Sequence, residues 1–288
     1  MIPGPFEYHR PADLSEAVAL LGQFDSDARL IAGGHSLIPM MKLRLAVPNH
    51  LIDLAGIAEL KGVRLEGGEI VIGAMTTQHE IIGDDLLAQK APILRETAEL
   101  IADPQVRYVG TIGGNVANGD PGNDMPALMM ALSATYVLRG ASGERRVAAR
   151  DYYLSTYETA AAPSEVLAAI RIPLPPQGHG WAYEKLKRKV GDYATAAAAV
   201  LLTVSEGKIA TCAIGLTNVA GTPLFANDAA AAVIGTALDK PVLARAAAAA
   251  TAIAQPAADG RGSAEYRAKM AGVMTARALT RAFGRARS

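Results

Sequence analysis

Cysteine is nearly absent from this chain. Cys212 is the single one in 288 residues, so no intrachain disulfide forms, and neither a thiolate-held iron–sulfur cluster nor a tetrathiolate zinc site fits. The five histidines, His9, His35, His50, His79 and His179, are scattered without metal-ligand spacing, so no metal is expected on this chain. Redox chemistry here would need an organic cofactor. An excess of one charge is missing too: Lys plus Arg equals Asp plus Glu at 28 each, which removes the basic bias of nucleic-acid and anionic-membrane binders. Nor is there a long apolar run. The longest, 196–204, is interrupted by Thr203 and falls far short of the ~20 residues of a spanning helix. The N-terminal stretch 1–11 carries Glu7, His9 and Arg10 and no apolar segment, so no transmembrane segment is expected and the chain reads as cytoplasmic. The Rossmann pattern G-x-G-x-x-G and the P-loop pattern G-x-x-x-x-G-K-[ST] are absent as well, which removes both usual nucleotide folds.

What is present suits a globular protein of several lobes: half the residues are apolar and only 19% are charged, enough to fill more than one core. In the first lobe, 1–53, Asp13 and Glu16 read as a capping box opening a helix through Leu21. A strand over 28–31, a glycine loop, a short helix over 37–45 and a strand over 50–54 follow. The second lobe, 54–177, opens with a hairpin around Gly67-Gly68, then helices near 77–82 and 92–102 and a glycine-rich segment, 110–124. Asp124 with Pro126 resembles the cap and first turn of a helix reaching Met129, and strands near 134–139, 144–147 and 166–172 complete the lobe. Pro173 to Gly178 reads as a linker. The third lobe, 178–288, shows a three-strand meander over 181–217 and three Ala-rich helices.

The chemistry is expected in two glycine segments, Ala32 to Ser36 and Thr111 to Asn115. A diphosphate needs many N–H donors at close range, and glycine lets backbone approach and turn where a Cβ would collide. Ser36 and Thr111 add hydroxyl donors. Either segment alone reads equally as an ordinary tight turn; two on different lobes could grip one dinucleotide. No Ser/His/Asp or Cys/His arrangement of nucleophilic type stands out, so no catalytic residue is named, and Cys212 reads as an inert thiol in an apolar strand. The last helix carries Arg267, Arg277, Arg281 and Arg285 at spacings shared with Met270 and Met274, which suits either a protein-docking face or a solvated helix.

Ala32-Gly-Gly-His-Ser-Leu37 and Thr111-Ile-Gly-Gly-Asn-Val-Ala-Asn118 resemble the two FAD-pyrophosphate loops of the flavin subunits and domains of the xanthine dehydrogenase family of molybdenum hydroxylases. The longer pattern 32–44, with Phe6 to Pro11, resembles most closely the medium-subunit branch of the aerobic carbon monoxide dehydrogenases. That resemblance implies an α+β fold of the vanillyl-alcohol-oxidase (PCMH) type: two α/β lobes and a C-terminal lobe of antiparallel strands and helices. It implies non-covalent FAD held by Ala32, Gly33, Gly34, His35, Ser36 and Leu37, and by Thr111, Gly113, Gly114, Asn115 and Asn118. His35, a covalent attachment point in other relatives of such a fold, would here shape the loop. Asp124 matches the acidic position that contacts the flavin's sugar-like chain. Lys185, Asp192 and Tyr193 fall where the third lobe meets the ring, Tyr193 as a shield and Lys185 as a cation, against readings as core packing and solvated face. By the same resemblance the chain accepts electrons from [2Fe–2S] clusters of an iron–sulfur subunit and passes them to a quinone, NAD or another acceptor. The molybdenum cofactor and clusters belong to partner subunits, in a dimer of heterotrimers that stays cytoplasmic or peripheral at the inner face of the membrane. A stand-alone FAD oxidase or reductase and a non-redox nucleotide-binding scaffold remain the alternatives.

Overall fold

In the computed structural model, which describes residues 2–286, each of the three larger sheets draws all its strands from one stretch of chain. The first stretch runs β1 (Glu7–His9), α1 (Leu14–Phe24), β2 (Ala28–Ile31), α2 (Leu37–Lys42) and β3 (His50–Asp53). Its strands form a parallel sheet in the order β1-β3-β2. The Asp13 carboxylate accepts the Glu16 N–H and starts α1; Glu16 reaches past the expected capping box to the Ala12 N–H. Leu14, Ala17 and Leu21 of α1 pack with Ile52 and Leu54, and with Met75, Val166 and Ala168 from the next stretch. The first two lobes therefore share a core.

The second stretch opens with the hairpin β4 (Val63–Glu66) and β5 (Glu69–Gly73), whose turn residues Gly67 and Gly68 both take positive φ, as that turn requires. Helices α3 (Gln78–Gly83), α4 (Asp85–Lys90), α5 (Pro92–Glu99), α6 (Pro104–Val109), α7 (Ile112–Ala117) and α8 (Asp124–Ala131) follow. Then come β6 (Thr135–Gly140), β7 (Gly143–Ala148), the small pair β8 (Tyr153–Ser155) and β9 (Glu158–Thr159), and β10 (Val166–Pro173). The five-stranded antiparallel sheet has the order β4-β5-β10-β6-β7. Three helices were not expected from the sequence, α4, α6 and α7. Each lasts six residues and is started by a capping side chain, Asp84, Asp103 or Thr111.

The third stretch holds β11 (Gly180–Leu186), β12 (Ala196–Ser205), β13 (Lys208–Thr217), β14 (Leu224–Phe225), α9 (Asn227–Ala231), α10 (Lys240–Ile253) and α11 (Ala264–Arg285). Its antiparallel sheet is a meander in chain order. Alanine is a weak strand former, yet β12 is rich in it because both faces are covered closely. Ala196, Ala198, Val200 and Leu202 pack with the helices, while Ala197 and Ala199 join the core of the second lobe. At Gly215 a Cβ would strike the Ala127 carbonyl of α8, so this glycine is what lets the third sheet lie on that helix. No helix among the described residues is long and apolar enough to cross a membrane.

Two expectations fail here. Arg267 does not belong to an exposed docking face: it is 3% exposed, and its guanidinium donates to the Thr195, Asn218 and Ala257 carbonyls, at 3.2, 2.5 and 2.6 Å. Met274 is buried with it, while Arg281 and Arg285 hold Glu96 of α5 at 3.0 and 2.9 Å, so the arginines of α11 mostly staple the chain to itself. The histidines are not all scattered either. Pairing of β1 with β3 sets the His9 and His50 ring nitrogens 3.1 Å apart, beside Glu7.

Candidate cofactor site

The chain leaves β2 into Ala32-Gly-Gly-His-Ser36 and enters α2 at Leu37. Gly34 takes φ +75°, a left-handed turn that other residues adopt only with strain. This turn leaves the backbone N–H groups of Gly33, Gly34, His35, Ser36 and Leu37 without a protein acceptor among the described residues, and the Ser36 side chain caps none of them. Five consecutive unpaired donors form a nest suited to a multiply charged anion. The His35 ring makes no side-chain hydrogen bond among the described residues, so its expected role in shaping the loop is not carried by its ring N–H; it is exposed beside Gly110.

The second glycine segment is not a loop. Thr111 caps α7, its hydroxyl accepting the Gly114 N–H at 3.0 Å, and Gly113 and Gly114 lie in the first turn. The Ile112 and Gly113 N–H groups go to the Thr76 and Ala74 carbonyls at 2.9 and 2.8 Å, and Asn115 N–H to the Thr111 carbonyl. These amides are therefore spent within the protein. What this segment offers instead is the Thr111 hydroxyl proton and the side-chain amides of Asn115 and Asn118. Its glycines serve close approach: a Cβ at Gly113 would strike Ala74, and one at Gly114 would meet Ala32 of the first loop at 3.6 Å. A Cβ at Gly33 would run into the Val109 carbonyl, so the two motifs are pressed together where the side chains are missing.

Asn115 carries the site onward to α8. Its side-chain oxygen accepts the Met125 N–H at 3.2 Å, and Asn123 donates to the Asn115 carbonyl at 2.7 Å. Asp124 is not the cap expected of it; Asn123 holds that position, and Asp124 is the first helical residue with its carboxylate turned inward. One oxygen accepts from the Tyr183 hydroxyl and the other from the Lys185 ammonium, each at 2.6 Å. The Lys185 and Asp124 side chains are 1% and 6% exposed, so this is a buried ion pair, and Lys185 also donates to the Leu100 carbonyl. Tyr183 and Lys185 alternate along β11 and share one face, and Lys187 follows at the same spacing just past the end of the strand, a period-two signal that sequence reading passed over. Lys187 makes no ion pair or hydrogen bond among the described residues. Burial and the neighbouring Lys185 ammonium hold its pKa below the usual lysine value.

Tyr193 lies half-exposed with its ring against Gly122 and the Arg261 guanidinium 5.7 Å from its centroid. Its hydroxyl is pushed up to about 12, first by burial and then by the Asp120 carboxylate, so it stays protonated at neutral pH. Asp192 binds Arg188 at 2.9 Å and lies 3.9 Å from Arg261. Burial pushes its carboxyl up, but the two guanidinium groups outweigh burial and hold it low, so its visible work is to fix the 188–193 segment. Burial alone lifts the Cys212 thiol to about 12, in keeping with an inert sulfur. The fold thus joins Ala32 to Leu37, Thr111 to Asn118, Asp124 and Lys185 in one chain of contacts, with Tyr193 at its third-lobe end. An unpaired anion nest, hydroxyl and amide donors along α7 and a buried carboxylate with a spare lone pair on each oxygen fit the diphosphate and polyol chain of FAD.

Residues 4–175 match the FAD-binding domain of molybdopterin dehydrogenases, and residues 181–282 match the C-terminal domain of carbon monoxide dehydrogenase flavoproteins. The chain is 66% identical to the carbon monoxide dehydrogenase medium chain of Afipia carboxidovorans over 288 residues, all of both chains. It is 52% identical to that of Hydrogenophaga pseudoflava over 285 residues, 99% of each chain. A chain of the crystallised Cu,Mo carbon monoxide dehydrogenase superposes with a TM-score of 0.98 at 66% identity, covering 99% of this chain and 100% of that one. One from quinoline 2-oxidoreductase of Pseudomonas putida superposes with a TM-score of 0.94 at 34% identity, covering 99% of each. With both domains matched and whole-length relatives at this identity, the chain belongs to the FAD-binding flavoprotein family of the molybdopterin dehydrogenases, in its carbon monoxide dehydrogenase medium-chain branch.

Proposed function

We propose that this chain is the FAD-carrying medium subunit of an aerobic carbon monoxide dehydrogenase, taking electrons from [2Fe–2S] clusters of an iron–sulfur subunit and handing them to an external acceptor. The observation that carries the reading is the run of five unpaired backbone donors in 33–37, pressed by Gly33 onto the α6–α7 junction. FAD supplies two-electron redox chemistry that also couples to one-electron carriers. The residues proposed to hold it are Ala32, Gly33, Gly34, His35, Ser36, Leu37, Thr111, Gly113, Gly114, Asn115, Asn118, Asp124, Lys185, Asp192 and Tyr193, across units 1–53, 54–177 and 178–288. Nest amides bind the diphosphate, and the Thr111 hydroxyl and Asn115 amide extend that grip. Asp124, oriented by Tyr183 and Lys185, accepts from hydroxyls of the cofactor's sugar-like chain, while Tyr193 excludes water. Lys187, which sequence reading did not name, is a cation without a side-chain partner among the described residues and so is free to donate.

Among the described residues of this site no acid–base pair stands free for direct substrate oxidation, because Asp124 is committed to Tyr183 and Lys185 and Tyr193 keeps its proton. With a single cysteine, the clusters and the molybdenum cofactor reside on the iron–sulfur and molybdenum subunits. The dimer of heterotrimers and the cytoplasmic, membrane-peripheral location are proposed from the family alone. Native purification should bring down FAD, iron and molybdenum in fixed ratio with CO oxidation, and CO should leave the isolated chain's flavin oxidised. A metal-free native protein whose flavin is bleached directly by an organic substrate would overturn the relay.

A further inference from the structure

At the opposite end of the first sheet from the glycine loop lies a second cluster. Glu7 and His9 are two residues apart on β1 and so share a face, and the register puts Glu7 beside His50, the first residue of β3. His9 Nε2 and His50 Nδ1 are 3.1 Å apart, His50 Nδ1 and Glu7 Oε2 3.3 Å, and His9 Nε2 and Glu7 Oε2 4.0 Å. Among the described residues no other group of three such ligands converges. We propose that Glu7, His9 and His50 bind a divalent first-row metal ion of the zinc class.

The distances are what carries this. A tetrahedral ion with bonds of about 2.0–2.1 Å sets its ligand atoms about 3.3 Å apart. Two edges of the cluster already have that length. The third closes by rotating Glu7, whose side chain is 74% exposed, while the two imidazoles are only 21% and 18% exposed. Phe24 holds the rings in place: it stacks on His50 at 3.7 Å between centroids, 11° from parallel, and sits 4.9 Å from His9. Two imidazoles and one carboxylate favour zinc and its neighbours over magnesium or calcium, which take all-oxygen sets. The three ligands leave a fourth position for water. The ion takes the place of the hydrogen bond between the rings, each neutral imidazole then carrying its proton on its other nitrogen, and ties β1, a three-residue edge strand, to β3. Because β2 runs from Ala28, level with His50, to Ile31 before the glycine loop, the ion adds stability to the lobe without touching the cofactor.

The test is calorimetric titration of the chelator-treated full chain with zinc chloride. One zinc per chain is expected, with affinity at least about tenfold weaker in Glu7→Gln and weaker still in His50→Gln. Glu7→Gln alters an exposed side chain and keeps the fold, so it decides the matter even where His50→Gln unfolds. Cobalt in place of zinc should give the intense visible bands of a four-coordinate site in the parent and lose them in Glu7→Gln. No zinc uptake by the parent, or uptake of equal affinity in parent and Glu7→Gln, would overturn the site.

Discussion

Replacing Lys185 with methionine keeps the length of the side chain and removes its charge. The parent ammonium gives one proton to Asp124 Oδ2 at 2.6 Å and one to the Leu100 carbonyl at 3.2 Å, inside a site where both charged side chains are almost fully covered. In Lys185→Met the Asp124 carboxylate keeps only the Tyr183 hydroxyl among its side-chain donors, and the Leu100 carbonyl loses its ammonium donor. Removing one partner of a buried pair costs about 3–5 kcal/mol, chiefly because the remaining charge is stranded. At roughly 2–4 °C per kcal/mol for a chain of this size, the melting midpoint should fall by roughly 6–20 °C. Lys185→Met combined with Asp124→Asn should recover much of the loss, since no charge is then left unpaired. Scanning calorimetry of the apo chain reads both effects. A single variant melting within about 2 °C of the parent, or a double variant no better than the single, would refute the buried-pair reasoning.

Gly33→Ala should weaken FAD binding by at least about tenfold, because the new methyl group meets the Val109 carbonyl and forces the two cofactor motifs apart. Gly22→Ala, in α1 with open space around it, should leave flavin content unchanged; equal retention by both variants argues against the close-approach account. Arg267→Lys should cost roughly 2–3 kcal/mol in denaturant titration, since an ammonium cannot span the three carbonyls that the guanidinium fork reaches. The Arg145 guanidinium, bound to both oxygens of Glu165 at 2.6 Å, holds that carboxyl below the usual glutamate value, against a smaller push from burial. Its stabilisation is present above the unfolded glutamate value of about 4.3 and is lost as pH falls below it. With Arg145 half-exposed, Glu165→Gln should cost only about 1 kcal/mol at neutral pH. That gap should close in acid, and a gap unchanged down to about pH 3 would refute the assignment.

Period and punctuation carried much of the fold in the sequence itself. The hairpin around Gly67-Gly68, the Asp13 cap of α1 and the strands flanking the Glu206-Gly207 turn depend on neighbours within a few residues, so linear order is enough to find them. The glycine motifs were legible for the same reason, and they are what marked the flavin family. Local reading went astray where a segment's state is set from elsewhere. Thr111 to Asn115 looks like a loop because glycine disfavours helix, yet Thr111 caps it and the Thr76 and Ala74 carbonyls draw its first amides into a helical turn. The stripe of Arg267, Met270 and Met274 has the period of a surface face. Only the carbonyls converging from 195, 218 and 257 decide that Arg267 points inward.

The sequence by itself determined what this chain lacks, the single cysteine that sends clusters elsewhere, and the two motifs that mark a flavin site. Tertiary structure alone decided which partners the charged side chains take. Asp124 and Lys185 are 61 residues apart and meet because Gly215 and the alanines of β12 let the third sheet lie directly on α8. His9 and His50, 41 residues apart, meet because β1 and β3 pair in parallel with Glu7 opposite His50. Period and local propensity report a residue's neighbours along the chain. A buried ion pair and a three-ligand cluster depend on neighbours across it, which are set only when strands and helices pack.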